Sequence, residues 1–130
     1  MTDAVQQTDR QRLADARRWV VKVGSALLTN DGRGLDASVV KMLADQLAAL
    51  RSGGCDVVLV SSGAIVAGLA RLNLAERPHE VHISQAAAAV GQSALVRAYE
   101  EHLGPHGVTT AQILLSHADV RARDRYLNAR

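Results

Sequence analysis

The 130-residue chain contains no phenylalanine, one tryptophan and two tyrosines. Its core must therefore be built from Ala, Val and Leu, which dominate an apolar fraction of 48%, a value of globular rather than disordered chains. A single cysteine, Cys55, excludes an internal disulfide and a thiolate metal site, and fits the reducing cytoplasm. No stretch approaches 18 consecutive apolar residues, which excludes a membrane-spanning helix by hydropathy. Residues 1–18 have no apolar core of a signal peptide. The net charge is only +2, and like charges do not run beyond pairs. The one alternating stretch, Arg121-Ala122-Arg123-Asp124-Arg125, carries its own acid. A nucleic-acid footprint is not expected. With no internal repeat and no low-complexity linker, the length fits one domain with a real core and is too short for two.

Lysine is also scarce. Lys22 and Lys41 are the only two, and Lys22 stands in the apolar run Arg18-Trp19-Val20-Val21-Lys22-Val23 that ends at Gly24-Ser25. An ammonium flanked by Val20, Val21 and Val23 is costly to bury unless an anion meets it. A glycine two residues later lets backbone N–H groups approach a ligand. The pair points to a phosphate site; a snorkelling lysine before an ordinary turn is the alternative.

The apolar pattern alternates strand and helix. Residues 18–24 predict a buried strand, and Thr29-Asn30-Asp31-Gly32-Arg33-Gly34 a turn or short hairpin. Asp36 is placed to cap a helix to about Ser52, with Val39, Val40, Leu43, Leu47 and Leu50 on one face. After Gly53-Gly54, Asp56 to Val60 predicts a central parallel strand. Ser61-Ser62-Gly63-Ala64 breaks it before a helix from Ile65 to Leu72. Ser84 is expected to cap a long helix to about Leu103, stopped by Gly104-Pro105-His106-Gly107. Val108 to Leu115 predicts a third strand, and Ser116-His117-Ala118-Asp119 a capping box opening a last helix. The order β-α-β-α-α-β-α implies an α/β fold with a parallel sheet covered on both faces.

Two strand ends thus carry glycine turns, Lys22-Val23-Gly24-Ser25 and Ser61-Ser62-Gly63-Ala64. Ligands of open α/β sheets lie beyond the carboxyl ends of the strands. If the two strands are neighbours, both turns open onto one crevice with the lysine between them. The second precedes a helix, whose N-terminus favours an anion. Either turn alone is as well explained as a helix cap.

The stretches Val20–Thr29 and Val57–Gly68, followed by Gln85-Ala86-Ala87-Ala88-Ala89-Val90-Gly91-Gln92, Gln112–Ser116 and Asp124–Arg130, closely resemble the glutamate 5-kinases of the amino acid kinase superfamily. The resemblance covers about residues 17–130, leaving residues 1–16 as a polar, possibly helical N-terminal extension. It implies the three-layer αβα sandwich of that superfamily, with a mainly parallel sheet, represented here by its N-terminal, substrate-side part. It implies a cytoplasmic enzyme that transfers the γ-phosphoryl group of ATP, with Mg²⁺, to the side-chain carboxylate of L-glutamate, the first step of proline biosynthesis. Lys22 matches the catalytic lysine at the transferring phosphoryl, and Gly24 and Ser25 the first phosphate-facing turn. Ser62, Gly63 and Ala64 match the glutamate-binding turn. Homo-oligomers are implied for the full-length family, with no nucleic-acid or membrane partner.

The resemblance also implies that the chain is incomplete. Family members are well over twice as long. The segment with most of the glutamate-binding Asp and Asn residues would follow Arg130, as would the nucleotide half with its second lysine and metal-positioning aspartate. The fragment alone is therefore expected not to turn over. No metal ligands are assigned within it. Asp31, Asp36, Asp45 and Asp56 read as caps and surface groups, the five histidines show no ligand spacing, and Cys55 has no catalytic partner nearby. The Ala86–Ala89 run with Gly91 reads as a close helix-packing face. Other readings are another amino acid kinase, such as an acetylglutamate or fosfomycin kinase, and a non-catalytic binding or assembly module.

Overall fold

A computed structural model describes residues 9–31, 33–76 and 78–129. Residues 9–14 are helical and exposed, while residues 1–8 of the expected N-terminal extension lie outside the described residues. Two strands, β1 (Arg18–Val23) and β2 (Asp56–Ser61), pair in parallel, with Arg18 opposite Asp56 and Val23 opposite Ser61. Between them run the one-turn helix α1 (Ser25–Leu28) and α2 (Ala37–Ser52). After β2 come α3 (Ala64–Arg71), α4 (Val81–Leu103), a 3₁₀ turn (Gly104–His106), α5 (His117–Arg121) and α6 (Arg123–Ala129).

Local chemistry sets the boundaries. One Asp36 carboxylate oxygen accepts from the N–H groups of Ser38 (2.9 Å) and Val39 (3.2 Å), satisfying two free donors at the start of α2. An antiparallel bridge between Thr29 and Leu35 closes the expected hairpin before it. Val40, Ala44, Leu47 and Ala48 form the buried stripe of α2. Gly54, at φ +83°, lets the chain turn into β2. At the C-terminal end Ser116 and Asp119 make the expected capping box, each side chain accepting from the other's backbone.

The core lies between one face of the sheet and helices α2 and α4. It joins Val23, Leu28, Val40, Ala44, Leu47, Ala48, Leu95, Tyr99 and Leu103, with Val21, Val57 and Leu59 packed against it. Alternation along a strand sends the intervening side chains the other way. Val20, Val58 and Val60 are 65%, 50% and 49% exposed, and Lys22 shares their face. The expectation of a sheet covered on both faces is thereby corrected: among the described residues the helices cover one.

The expected strand over 108–115 is also corrected. Val108 packs on the core, but residues 109–116 take no regular structure, and Ile113, Leu114 and Leu115 are 73%, 72% and 58% exposed. An apolar run becomes a strand by pairing in a ladder, and this run has no ladder partner among the described residues. Two helix boundaries shift as well. α4 starts at Val81, so Ser84 lies inside its first turn, where its hydroxyl donates to the Pro78 carbonyl (3.4 Å) instead of capping. The last helix breaks at Ala122, whose ψ of 117° is extended. No helix among the described residues is long and apolar enough to cross a membrane.

Candidate functional site

The parallel pairing of β1 and β2 brings the two glycine turns side by side. The Ser62 N–H donates to the Val23 carbonyl (3.0 Å), and the Ser62 hydroxyl donates to the same oxygen (3.2 Å). The residue after β2 is thus fastened to the last residue of β1. Both turns leave from the carboxyl edge of adjacent strands, where open parallel sheets receive ligands.

Lys22 differs from its expected state. It is exposed on the uncovered face of the sheet, not a buried cation, because the strand's alternation turns it away from the core. Its side chain nevertheless bends along the strand to the first turn. The amine nitrogen lies 3.6 Å from the position a Cβ would occupy on Gly24. Gly24 has an ordinary extended conformation (φ −80°, ψ 157°), so no backbone strain calls for a glycine there. Any side chain at that position would stand against the ammonium. Ser25 follows as the exposed first residue of α1.

The second turn is held from three sides. Gly63 sits before α3 with φ +108°, a left-handed conformation that a side chain would strain. It is buried, and its N–H bonds to no backbone acceptor outside regular elements among the described residues. No side chain caps α3, because its N-cap residue Gly63 has none, and the Ser62 hydroxyl is committed to β1. Ala64 begins α3, whose first intrahelical bond runs from the Ala67 N–H to the Gly63 carbonyl (2.9 Å). On the core side the Ser61 hydroxyl donates to the Ser62 carbonyl (3.2 Å) and lies 3.1 Å from the Tyr99 hydroxyl. Burial pushes the Tyr99 phenol above its ordinary value, outweighing the opposing bond to Ser61.

Backbone contact between α3 and α4 fixes where the second turn stands. A Cβ on Gly91 would lie 1.8 Å from the Ala64 carbonyl oxygen, and one on Gly68 1.7 Å from that of Ala87. Ala64 and Gly68 on one helix thus meet Ala87 and Gly91 on the other, each pair four residues apart, and only such small residues allow the approach. The reading of the Ala86–Ala89 run and Gly91 as a packing face agrees with this crossing. Beside it opens a cleft of about 390 Å³, lined by Ile65, Pro78, His79, Val81, Ser84, Gln85 and Ala88.

The residues missed by sequence reasoning are those joined across the fold. Tyr99 meets Ser61 from 38 positions away, and His106 meets Asp45 from 61. The Asp45 carboxyl is held below the usual carboxylate range by the Lys41 ammonium (2.7 Å) first and His106 (2.9 Å) second. For Tyr99 a signal existed: it continues the four-residue series Ala87, Gly91, Leu95, and a buried tyrosine hydroxyl needs a partner. Among the described residues no group of three or more His, Cys, Asp or Glu is placed to hold a metal ion.

Comparison with known proteins adds an independent finding. Residues 17–130 match the amino acid kinase family. The chain belongs to this family. It is 59% identical over 125 residues to a protein of Chromohalobacter salexigens named glutamate 5-kinase, which spans 96% of this chain and 33% of that protein. Proteins of the same name from Ralstonia pickettii and Thioalkalivibrio sulfidiphilus are 59% and 57% identical over 118 and 121 residues, covering 91% and 93% of this chain and 32% of each relative. The chain thus spans about a third of the length of these relatives. Its parallel strand pair, with helices on one face, is a piece of the amino acid kinase fold.

Proposed function

We propose that this chain is the acceptor-side part of a glutamate 5-kinase, a cytoplasmic enzyme of proline biosynthesis. In that reaction a side-chain carboxylate oxygen of L-glutamate attacks the γ-phosphorus of ATP. The bond from that phosphorus to the bridging oxygen breaks, giving γ-glutamyl phosphate and ADP. The joining of the two glycine turns at the carboxyl edge of paired parallel strands carries the reading. Two anions must approach each other here, so charge neutralisation and positioned N–H donors are the tools required. In this reading the Lys22 ammonium neutralises the transferring phosphoryl, and Gly24 and Ser25 face the phosphate. Ser62, Gly63 and Ala64 receive the glutamate. ATP supplies the phosphoryl group, and no step is assigned to a metal held by these residues.

The test is a chimera in which this chain replaces the matching third of the Ralstonia pickettii relative. Trapping the acyl phosphate with hydroxylamine should show ATP-dependent product from L-glutamate and little from N-acetylglutamate or aspartate. Lys22→Met in the chimera should lower the rate by about 100-fold or more, the scale for losing one aligned electrostatic group. A folded chimera indifferent to Lys22→Met, or one preferring another acid, would remove the basis of the proposal.

A further inference from the structure

Tyr99 stands outside both turns, yet its hydroxyl has one partner, the Ser61 hydroxyl at 3.1 Å. The direction of that bond follows from counting protons. Ser61 has a single hydroxyl proton, and it is given to the Ser62 carbonyl. With the Ser61 proton on that carbonyl, the neutral Tyr99 phenol donates to Ser61. The result is a relay from the Tyr99 O–H to the Ser61 O–H to the Ser62 carbonyl. That carbonyl belongs to the same peptide unit as the Gly63 N–H. In a trans peptide the two point in opposite directions, and no peptide bond among the described residues is cis. Holding the carbonyl toward the Ser61 hydroxyl therefore aims the Gly63 N–H to the opposite side of the peptide, and that N–H has no acceptor among the backbone bonds of the described turns.

We infer that Tyr99 is a positioning residue: acting through Ser61, it sets the Ser62–Gly63 peptide so that the Gly63 N–H is presented to an oxygen of a bound carboxylate or phosphoryl group. The inference rests on the reading of this turn as a ligand site. It assigns to α4 a role beyond packing, because the ring of Tyr99, 6% exposed, fills the core while its hydroxyl steers the turn. The turn is also held by the two Ser62 bonds to Val23 and by the Ala67 N–H on the Gly63 carbonyl, none of which engages the Ser62 carbonyl.

The test compares backbone ¹⁵N relaxation in the chain with Tyr99→Phe, Ser61→Ala and the double variant, each titrated with inorganic phosphate and with L-glutamate. Tyr99→Phe keeps the ring and removes only the donor. The order parameter at Gly63 should fall from about 0.85 to below about 0.6, the range separating rigid from mobile backbone, while Ala67 and Leu69 in α3 stay rigid. Ser61→Ala should reproduce the change, and the double variant should add nothing to it. Phosphate should shift the Gly63 signal in the wild type, with the midpoint several-fold higher in Tyr99→Phe. An unchanged Gly63, or a loss spread evenly along α4, would overturn the inference and leave Tyr99 a packing residue. If neither probe moves Gly63 or Gly24 in the wild type, the ligand-site reading fails, and the functional half of the inference with it.

Discussion

Substituting Gly91 by Ala adds one methyl group where α4 meets α3. The new Cβ would stand 1.8 Å from the Ala64 carbonyl oxygen and 2.4 Å from the Gly68 nitrogen, where real Cβ contacts below 3.0 Å are essentially never found. Both neighbours are backbone, so no rotamer change relieves the clash, and the helices must part by roughly an ångström. Overpacking of this kind costs about 1–3 kcal/mol, and rigid backbone on both sides puts the cost at the top of that range. Alanine returns about 1 kcal/mol through its higher helix propensity. A net loss of about 2 kcal/mol is expected, which for a domain of this size lowers the thermal midpoint by roughly 8 °C. Gly104→Ala is the control. Its Cβ would meet nothing within 4 Å, and its backbone (φ −54°, ψ −45°) is already helical. That variant should lie within about 1 kcal/mol of the wild type, the helix propensity of alanine being set against the strain of a helical residue before Pro105. Thermal and urea unfolding of the two variants beside the wild type measures the difference. Equal midpoints for Gly91→Ala and Gly104→Ala would refute the backbone-contact account of the crossing.

Lys22→Met should leave the unfolding midpoint of the isolated chain within about 0.5 kcal/mol of the wild type, because the side chain is exposed and makes no ion pair among the described residues. Asp45 titrates below its ordinary value in the folded chain, so its contribution to stability is present above the unfolded carboxylate value and is lost as pH falls through the folded one. Asp45→Asn should therefore flatten the acid limb of a midpoint-against-pH curve below about pH 4 and leave its shape near neutrality unchanged. The purified chain, given ATP, Mg²⁺ and L-glutamate, should form no acyl phosphate that hydroxylamine can trap; clear product formation would show that the two thirds of the relatives' length outside the match is dispensable.

Elements whose cause is local were legible in the sequence. Asp36 announced the start of α2, the glycine pair at 53–54 its end, and Ser116 with Asp119 the start of α5, because caps and left-handed glycines act within a few residues. The two strands and their glycine turns were legible for the same reason. The state of Lys22 was not, since burial on one face of a sheet depends on what packs there, and the covering helices lie on the opposite face. The run from Val108 to Leu115 carried strand composition, yet composition cannot supply a ladder partner. Tyr99 shows the same limit within the candidate site. Its place on a buried helical stripe was readable, but its meeting with Ser61 exists only once α4 has crossed the sheet.

The central claim is that the two turns act as one anion site under the Lys22 ammonium. Titrating the ¹⁵N-labelled chain with inorganic phosphate, with and without Lys22→Met, tests it most directly. The account predicts that Gly24, Ser62 and Gly63 amide signals move together along one saturation curve, and that the movement is lost in the variant. Independent curves for the two turns, or shifts that persist when the amine is gone, would contradict it.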